Sequence, residues 1–193
     1  LQIPQEIIEG CIRRKPSCEF RLYKLLFSYL MGICIRYTRN EDKAKDMVNM
    51  GFLKILTNLP KYDHSLPFKN WVRRIMVNTL IDEFRKEKKH LQNLEYVETY
   101  GSQYDYQEVI NDAVRKLGVQ DILRLIQRLP ENTARIFNLY VIDGYTHREI
   151  ADMLDISEGT SKWHVNIARE KLKQYILQMH QEYRPTVKKE EDE

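Results

Sequence analysis

The sequence predicts an all-α protein, built as two small helical domains joined by a flexible linker. Three observations carry that prediction. Apolar residues recur at three- and four-residue steps, the helical period, with little of the strict alternation a strand would show. Seven glycines and six prolines in 193 residues leave little room for a turn-rich β architecture. The helical pattern also breaks between residues 91 and 118, separating a unit at 1–90 from another at 119–182, with a disordered tail at 183–193. The length suits one medium domain or two small ones. A composition 42% hydrophobic and 31% charged is that of a folded, soluble chain.

Each element can be justified in order. Residues 1–39 carry Phe20, Leu22, Leu25, Leu26, Tyr29, Leu30 and Ile33 at helical spacing, a helix or pair of helices that needs a partner for that face. Asn40 suits the cap of a helix over about 41–56. That helix has two stripes. Ala44, Val48, Phe52 and Ile55 form a core face, while Asp46, Asn49, Met50 and Leu53 follow i, i+3, i+4, i+7 on another side. A carboxylate, an amide and two large apolar groups on one stripe fit docking to another protein, or equally a face covered by another helix of the same domain.

A polar loop at 61–67 precedes a long helix over about 68–89, with Phe68, Val72, Ile75 and Thr79 on one face. Trp71, Arg74, Asn78, Asp82 and Arg85 lie on the adjacent stripe. Residues 61–90 hold eight Lys or Arg against four acids, although the whole chain is only mildly basic at a net charge of +3. A basic helix with an aromatic at its start and an amide in its middle suits nucleic acid, because cations hold phosphates and an aromatic ring can stack on an unpaired base. The competing account is a solvated charged surface in which Asp82 pairs with Arg85 and Lys86 one turn on. Residues 91–113 then change character, with five acids, four tyrosines and no Lys or Arg, as expected of a linker.

In the second unit Ile122, Leu123, Leu125, Ile126 and Leu129 make one helix, and Pro130 opens the next. Ala134, Phe137, Leu139, Tyr140 and Val141 carry that helix to Gly144, a natural stop. Residues 145–172 then read as two short helices around a tight turn. Thr146 and Glu149 have the spacing of a capping box, and Ile150, Ala151 and Leu154 give one apolar stripe. Asp155 and Ile156 form the turn, and Ser157 caps the second helix, which is expected to run to about residue 180. Ser161, Val165, Ala168 and Leu172 share one side of it, and Gly159, Lys162, Trp163, Asn166 and Glu170 the other. This is the layout of a helix-turn-helix, whose second helix enters the DNA major groove; two packed amphipathic helices without that role are the plainer alternative.

Both units together resemble the extracytoplasmic-function class of bacterial RNA polymerase sigma factors, over residues 20–90 and 119–178. The family pattern Ala-Glu-Asp-Leu-Val-Gln-Glu-Val-Phe is met by Ala44, Asp46, Met47, Val48, Asn49, Met50 and Phe52. A later pattern of Phe, Trp, Leu, Ile, Ala, Asn, Asp and Arg is matched in order by Phe68, Trp71, Val72, Ile75, Met76, Asn78, Asp82 and Arg85. The second unit matches through Leu129-Pro130, Arg135, Phe137, Leu139, Gly144, Glu149-Ile150-Ala151, Ile156-Ser157, Gly159-Thr160, Lys162 and Ala168-Arg169. The chain departs from the family at Asn49 and Met50, where Gln and Glu are usual, at Asp155, where Gly is frequent, and at Trp163 and His164, where Ser and Arg are common.

The resemblance implies an alternative sigma factor that directs promoter-specific initiation. The first unit would act as region 2, gripping the polymerase β′ coiled coil through Asp46, Asn49, Met50 and Leu53. It would also read the −10 element as melted strand. The loop with Tyr62, Asp63 and His64 would take a flipped base, supported by Trp71 and Asn78, while Arg73, Arg74, Arg85 and Lys86 hold phosphates. Extruding a base costs a few kcal/mol, which stacking and hydrogen bonds must offset. The second unit would act as region 4 and read the −35 element as duplex. Lys162, Trp163 and Asn166 are the expected base contacts, and His147, Arg148, His164 and Arg169 the expected phosphate contacts. Implied partners are core polymerase through its β′ and β subunits, promoter DNA and an anti-sigma factor, with a monomer when free. No metal or small-molecule cofactor is implied.

Cys11, Cys18 and Cys34 are an odd number without C-x-x-C spacing, and no signal peptide is apparent, so the cytoplasm is the expected compartment. Neither a nucleophile–base pair, a phosphate-binding Gly loop nor a metal-spaced cluster points to an enzyme. A helix-turn-helix regulator that binds DNA without polymerase would call for a sensing or receiver domain at the N-terminus, which the first half does not suggest. A helical adaptor without DNA affinity would leave Trp71, Arg74 and Asn78 as ordinary surface.

Overall fold

The computed structural model describes residues 3–90 and 118–182, which fall in two compact units. The linker expected over 91–118 lies outside the described residues apart from Gly118, and so does the tail expected at 183–193. Every regular element among the described residues is helical.

The first unit contains α1 (Gln5–Ile12), α2 (Pro16–Thr38), α3 (Glu41–Asn58), a 3-10 turn (Leu59–Lys61) and α4 (Phe68–His90). The N-terminal pattern thus resolves into a pair of helices. The break falls at Arg14, in the left-handed region at φ 56°, and Pro16 restarts the chain in the first turn of α2, where its missing N–H costs nothing. Arg39, also left-handed, ends α2, and Asn40 caps α3 by accepting a hydrogen bond from the Lys43 amide at 2.9 Å. Leu22, Leu26 and Leu30 of α2 bury against Ala44, Val48 and Ile55 of α3 and Val72, Met76 and Leu80 of α4. Phe20 and Leu25, counted in the apolar pattern of α2, stand exposed, so the buried stripe is narrower than the sequence suggests. Gly51 leaves room for the Met76 side chain of α4, whose sulfur and methyl a Cβ there would meet.

The second unit contains α5 (Val119–Gln127), α6 (Glu131–Phe137), a π-helical turn (Asn138–Ile142), α7 (His147–Leu154) and α8 (Glu158–Glu182). Its core joins Ile126, Leu129, Ala134 and Phe137 to Ala168 of α8, with Ile142, Leu172 and Tyr175 at its margin. The helix expected to continue from Pro130 to Gly144 is α-helical only to Phe137. It then widens, the Asp143 amide donating to the Asn138 carbonyl at 2.9 Å across five residues. The extra residue shifts the register, so Leu139 is buried while Val141, expected in the apolar pattern, is exposed. Gly144 at φ 79° closes the turn.

Candidate polymerase and nucleic-acid interfaces

The two stripes of α3 separate cleanly. Ala44, Val48, Phe52 and Ile55 are buried, while Asp46, Asn49, Met50 and Leu53 are exposed. Leu53 is 64% exposed and Met50 36%, so no helix of the first unit covers them. Tyr23 of α2 extends this surface. Its hydroxyl donates to Asn49 Oδ1 at 2.9 Å, and its ring meets Phe52 edge-on at 5.0 Å. Tyr23 was not singled out from sequence, because it falls between the apolar positions of α2 and its partner lies on another helix.

Next to this surface, α3, the 3-10 turn and α4 form an open cleft of about 280 Å³, lined by Lys54, Asn58, Lys61, Trp71, Ile75, Asn78 and Thr79. Trp71 and Asn78, which the sequence puts on one stripe of α4, line it together with Lys54 and Asn58, which were not singled out from sequence. Lys54 Nζ pairs with Asp82 at 2.9 Å, and Asn58 donates to the Lys54 carbonyl at 2.8 Å, leaving its amide oxygen as an acceptor. The Thr79 hydroxyl is occupied by the Ile75 carbonyl, so that wall is largely apolar. An aromatic ring, two amides and two cations around a small cleft can stack on, hydrogen-bond and charge-compensate an unpaired nucleotide.

The loop behaves differently from a row of contacts. Tyr62 is only 9% exposed, its ring packed on Phe68 at 5.1 Å, Trp71 at 5.0 Å and His64 at 4.9 Å. Its hydroxyl donates to the Leu66 carbonyl, and burial followed by the nearby Asp63 charge pushes its pKa up. Asp63 accepts the Ser65 amide at 2.9 Å, and the Ser65 hydrogen bonds hold its carboxyl below the usual range. His64 remains exposed. Of the expected phosphate contacts, Arg74, Arg85 and Lys86 are exposed and Arg73 is half-buried. Asp82 turns to Lys54 rather than to Arg85 or Lys86, and Lys86 instead meets Glu83 at 3.4 Å.

In the second unit the Thr146 hydroxyl accepts the Glu149 amide, and Glu149 accepts the Thr146 amide at 2.8 Å, completing the capping box. Asp155 ends α7 in the left-handed region at φ 54°, with the Ile156 amide donating to the Ala151 carbonyl at 3.2 Å. That conformation accounts for glycine being frequent there in the family pattern. Ser157 caps α8 by accepting the Thr160 amide at 2.9 Å. On α8, Ser161, Val165 and Ala168 are buried and Lys162, Trp163, Asn166 and Arg169 exposed. Arg148 of α7 is exposed too.

The two histidines of the motif each have a hydroxyl partner within the second unit. His147 Nδ1 lies 3.0 Å from the buried Ser161 hydroxyl, and its ring stacks on Tyr140 at 4.2 Å. His164 Nδ1 lies 3.0 Å from the Thr133 hydroxyl of α6. Both rings are half-buried.

Cys11, Cys18 and Cys34 are free thiols. Among the described residues, no group of three or more His, Cys, Asp or Glu is placed to hold a metal. No described helix is long and apolar enough to cross a membrane.

Residues 22–90 match the family described as Sigma-70 region 2, and residues 119–172 match Sigma-70, region 4, together well over half of the chain. The ECF RNA polymerase sigma factor SigW of Bacillus subtilis is 28% identical over 152 residues, covering 75% of this chain and 81% of that protein. The ECF RNA polymerase sigma-E factor of Escherichia coli is 24% identical over 177 residues, covering 88% and 92%. Among solved structures, the sigma factor RpoE in complex with the anti-sigma factor NepR, from Bartonella quintana, is 22% identical over 82% of this chain and 95% of that one, at a TM-score of 0.48. Factors of this kind are non-enzymatic subunits of transcription initiation. With a region 2 followed by a region 4 and relatives of this description, the chain belongs to the extracytoplasmic-function sigma factors of bacterial RNA polymerase.

Proposed function

We propose that this alternative sigma factor docks core polymerase through the exposed α3 stripe, Asp46, Asn49, Met50 and Leu53, with Tyr23 at its edge. It takes the melted −10 strand into the cleft of Trp71, Asn78, Lys54 and Lys61. Tyr62 and Asp63 act by shaping the loop beside that cleft, because one is buried and the other is engaged with Ser65. His64, Arg73, Arg74, Arg85 and Lys86 lie along the path of the strand's phosphates. Lys162, Trp163 and Asn166 read the −35 duplex, and Arg148 and Arg169 hold its backbone. The work is cytoplasmic, and an anti-sigma factor covering the α3 stripe would hold the protein inactive.

The observation that carries the reading is Leu53 at 64% exposure, next to Met50 and two polar groups on one helical face. A large apolar side chain held at the surface in this setting fits a partner surface. The test is run-off transcription with bacterial core polymerase and genomic upstream fragments. Initiation from a subset of fragments, abolished by Asp46→Arg, is the expected result. Fragment binding by the chain alone, without stimulated initiation, would point to a polymerase-independent regulator instead.

A further inference from the structure

We propose that Thr133 and His164 are positioning residues for sequence reading: together with the His147–Ser161 contact, they fix the roll of α8 and so aim the indole of Trp163 at the DNA. The proposal rests on the assignment of α8 to promoter duplex made above.

Three groups stand in series. The Thr133 hydroxyl, in a residue 3% exposed, lies 3.0 Å from His164 Nδ1. The His164 ring meets the Trp163 indole edge-to-face at 4.8 Å and 72°. The indole reaches the surface, 42% exposed, on the outer face that Lys162 and Asn166 share. One turn earlier on the inner face, Ser161 is fully buried and lies 3.0 Å from His147 Nδ1. The α8 helix is thus held at positions 161 and 164 by side chains from two different helices, α7 and α6.

Core packing at Val165 and Ala168 seats α8, and the two polar ties from separate helices set its roll more finely at the end that carries Trp163. For a helix about 10–12 Å across, a roll of about 20° moves a surface side-chain tip by about 2 Å. Base-edge hydrogen bonds and contact with a thymine methyl do not survive such a shift, whereas long, flexible phosphate contacts do. Loss of one tie therefore blurs base preference more than it weakens overall binding.

The experiment uses holoenzyme reconstituted from core polymerase and the full chain. Templates randomised upstream are transcribed in one pool and the products sequenced. Thr133→Val and His164→Leu are each expected to flatten the preference at −35 positions by about five-fold or more, with the −10 preference and the total yield from the pool little changed. His164→Asn, whose amide can still reach Thr133, is expected to keep the wild-type preference. Should Thr133→Val fail to fold, His164→Leu at the half-buried position carries the test.

An unchanged preference in both variants, with loss only in Trp163→Ala, overturns the proposal while leaving −35 reading intact. A uniform loss across all sequences also overturns it, because a merely structural role would do that. If Lys162→Ala, Trp163→Ala and Asn166→Ala all keep the upstream preference, the assignment of α8 to duplex reading fails, and this proposal with it.

Discussion

Lys54 Nζ lies 2.9 Å from the Asp82 carboxylate, an ion pair that joins α3 to α4 beside the cleft Lys54 lines. Both side chains are about half exposed, so the pair contributes at most about 1 kcal/mol to stability. Its larger effect is on charge, since the carboxylate offsets a cation facing the proposed path of the −10 strand. Asp82→Asn is expected to change the unfolding free energy by less than about 1 kcal/mol. The same variant should bind a single-stranded −10 oligonucleotide more tightly, with a steeper salt dependence. Weaker binding in a fluorescence titration would reverse the assignment and make Asp82 a group that holds Lys54 in place.

Surface substitutions away from packing change stability by about 0.5 kcal/mol or less. Leu53→Arg should therefore melt like the wild type, and its affinity for core polymerase should fall more than about ten-fold, the loss expected of a buried interface anchor. Urea titration and a core-binding assay separate the two effects. A variant that binds core polymerase normally would remove Leu53 from the docking surface.

Burial pushes the Cys34 thiol up to about 12. Cys11 rises to about 11, again mainly through burial, with Cys18 and Glu19 adding to it. The unfolded chain loses these protons first, near the ordinary value of 9.0. Their contribution is thus fully present below about pH 9 and is lost as pH rises toward the folded values. Cys34→Ala should flatten the alkaline fall in stability, at the cost of a smaller core. In native protein at neutral pH, iodoacetamide should modify Cys18 alone and reach the other two only after unfolding.

The helix-turn-helix depends on two local devices. Thr146→Ala removes the hydroxyl that accepts the Glu149 amide and should cost about 1 kcal/mol. Asp155→Val forces a β-branched residue into the left-handed region and should cost about 1–2 kcal/mol, while Asp155→Gly should be neutral or stabilising. Chemical denaturation monitored by circular dichroism measures all three. A Val variant as stable as the wild type would show that the turn relaxes.

Features set by neighbours along the chain were legible in the sequence. The two stripes of α3, the Thr146–Glu149 box, the Ser157 cap and the inner and outer faces of α8 all follow from three- and four-residue spacing. What tertiary approach decides was not. Lys54 and Asn58 join Trp71 and Asn78 only because α3 and α4 pack side by side, a relation no local pattern encodes. Asp82 had two cations one turn away on its own helix, yet it pairs across to Lys54. Tyr62 sits in a polar loop and gave no sign of the Phe68 and Trp71 rings that bury it. The pairing of His164 with Thr133 likewise spans 31 residues of the chain. The π-helical turn after Phe137 escaped notice because Leu139 and Val141 suit an α-helix equally well.

The turn of α3 from Met50 to Ile55 carries obligations on every side. Met50 and Leu53 face outward, Gly51 admits Met76, Phe52 and Ile55 fill the core, and Lys54 crosses to Asp82. No residue in that window is spare. Substitutions at Gly51, Phe52 or Ile55 disturb the packing beneath the stripe, whereas Met50 and Leu53 can change with little effect on the fold. Adaptation of the proposed docking face to a new partner would therefore run through its exposed positions, and deep mutational scanning for stability should find Gly51, Phe52 and Ile55 intolerant and Asp46, Asn49, Met50 and Leu53 permissive.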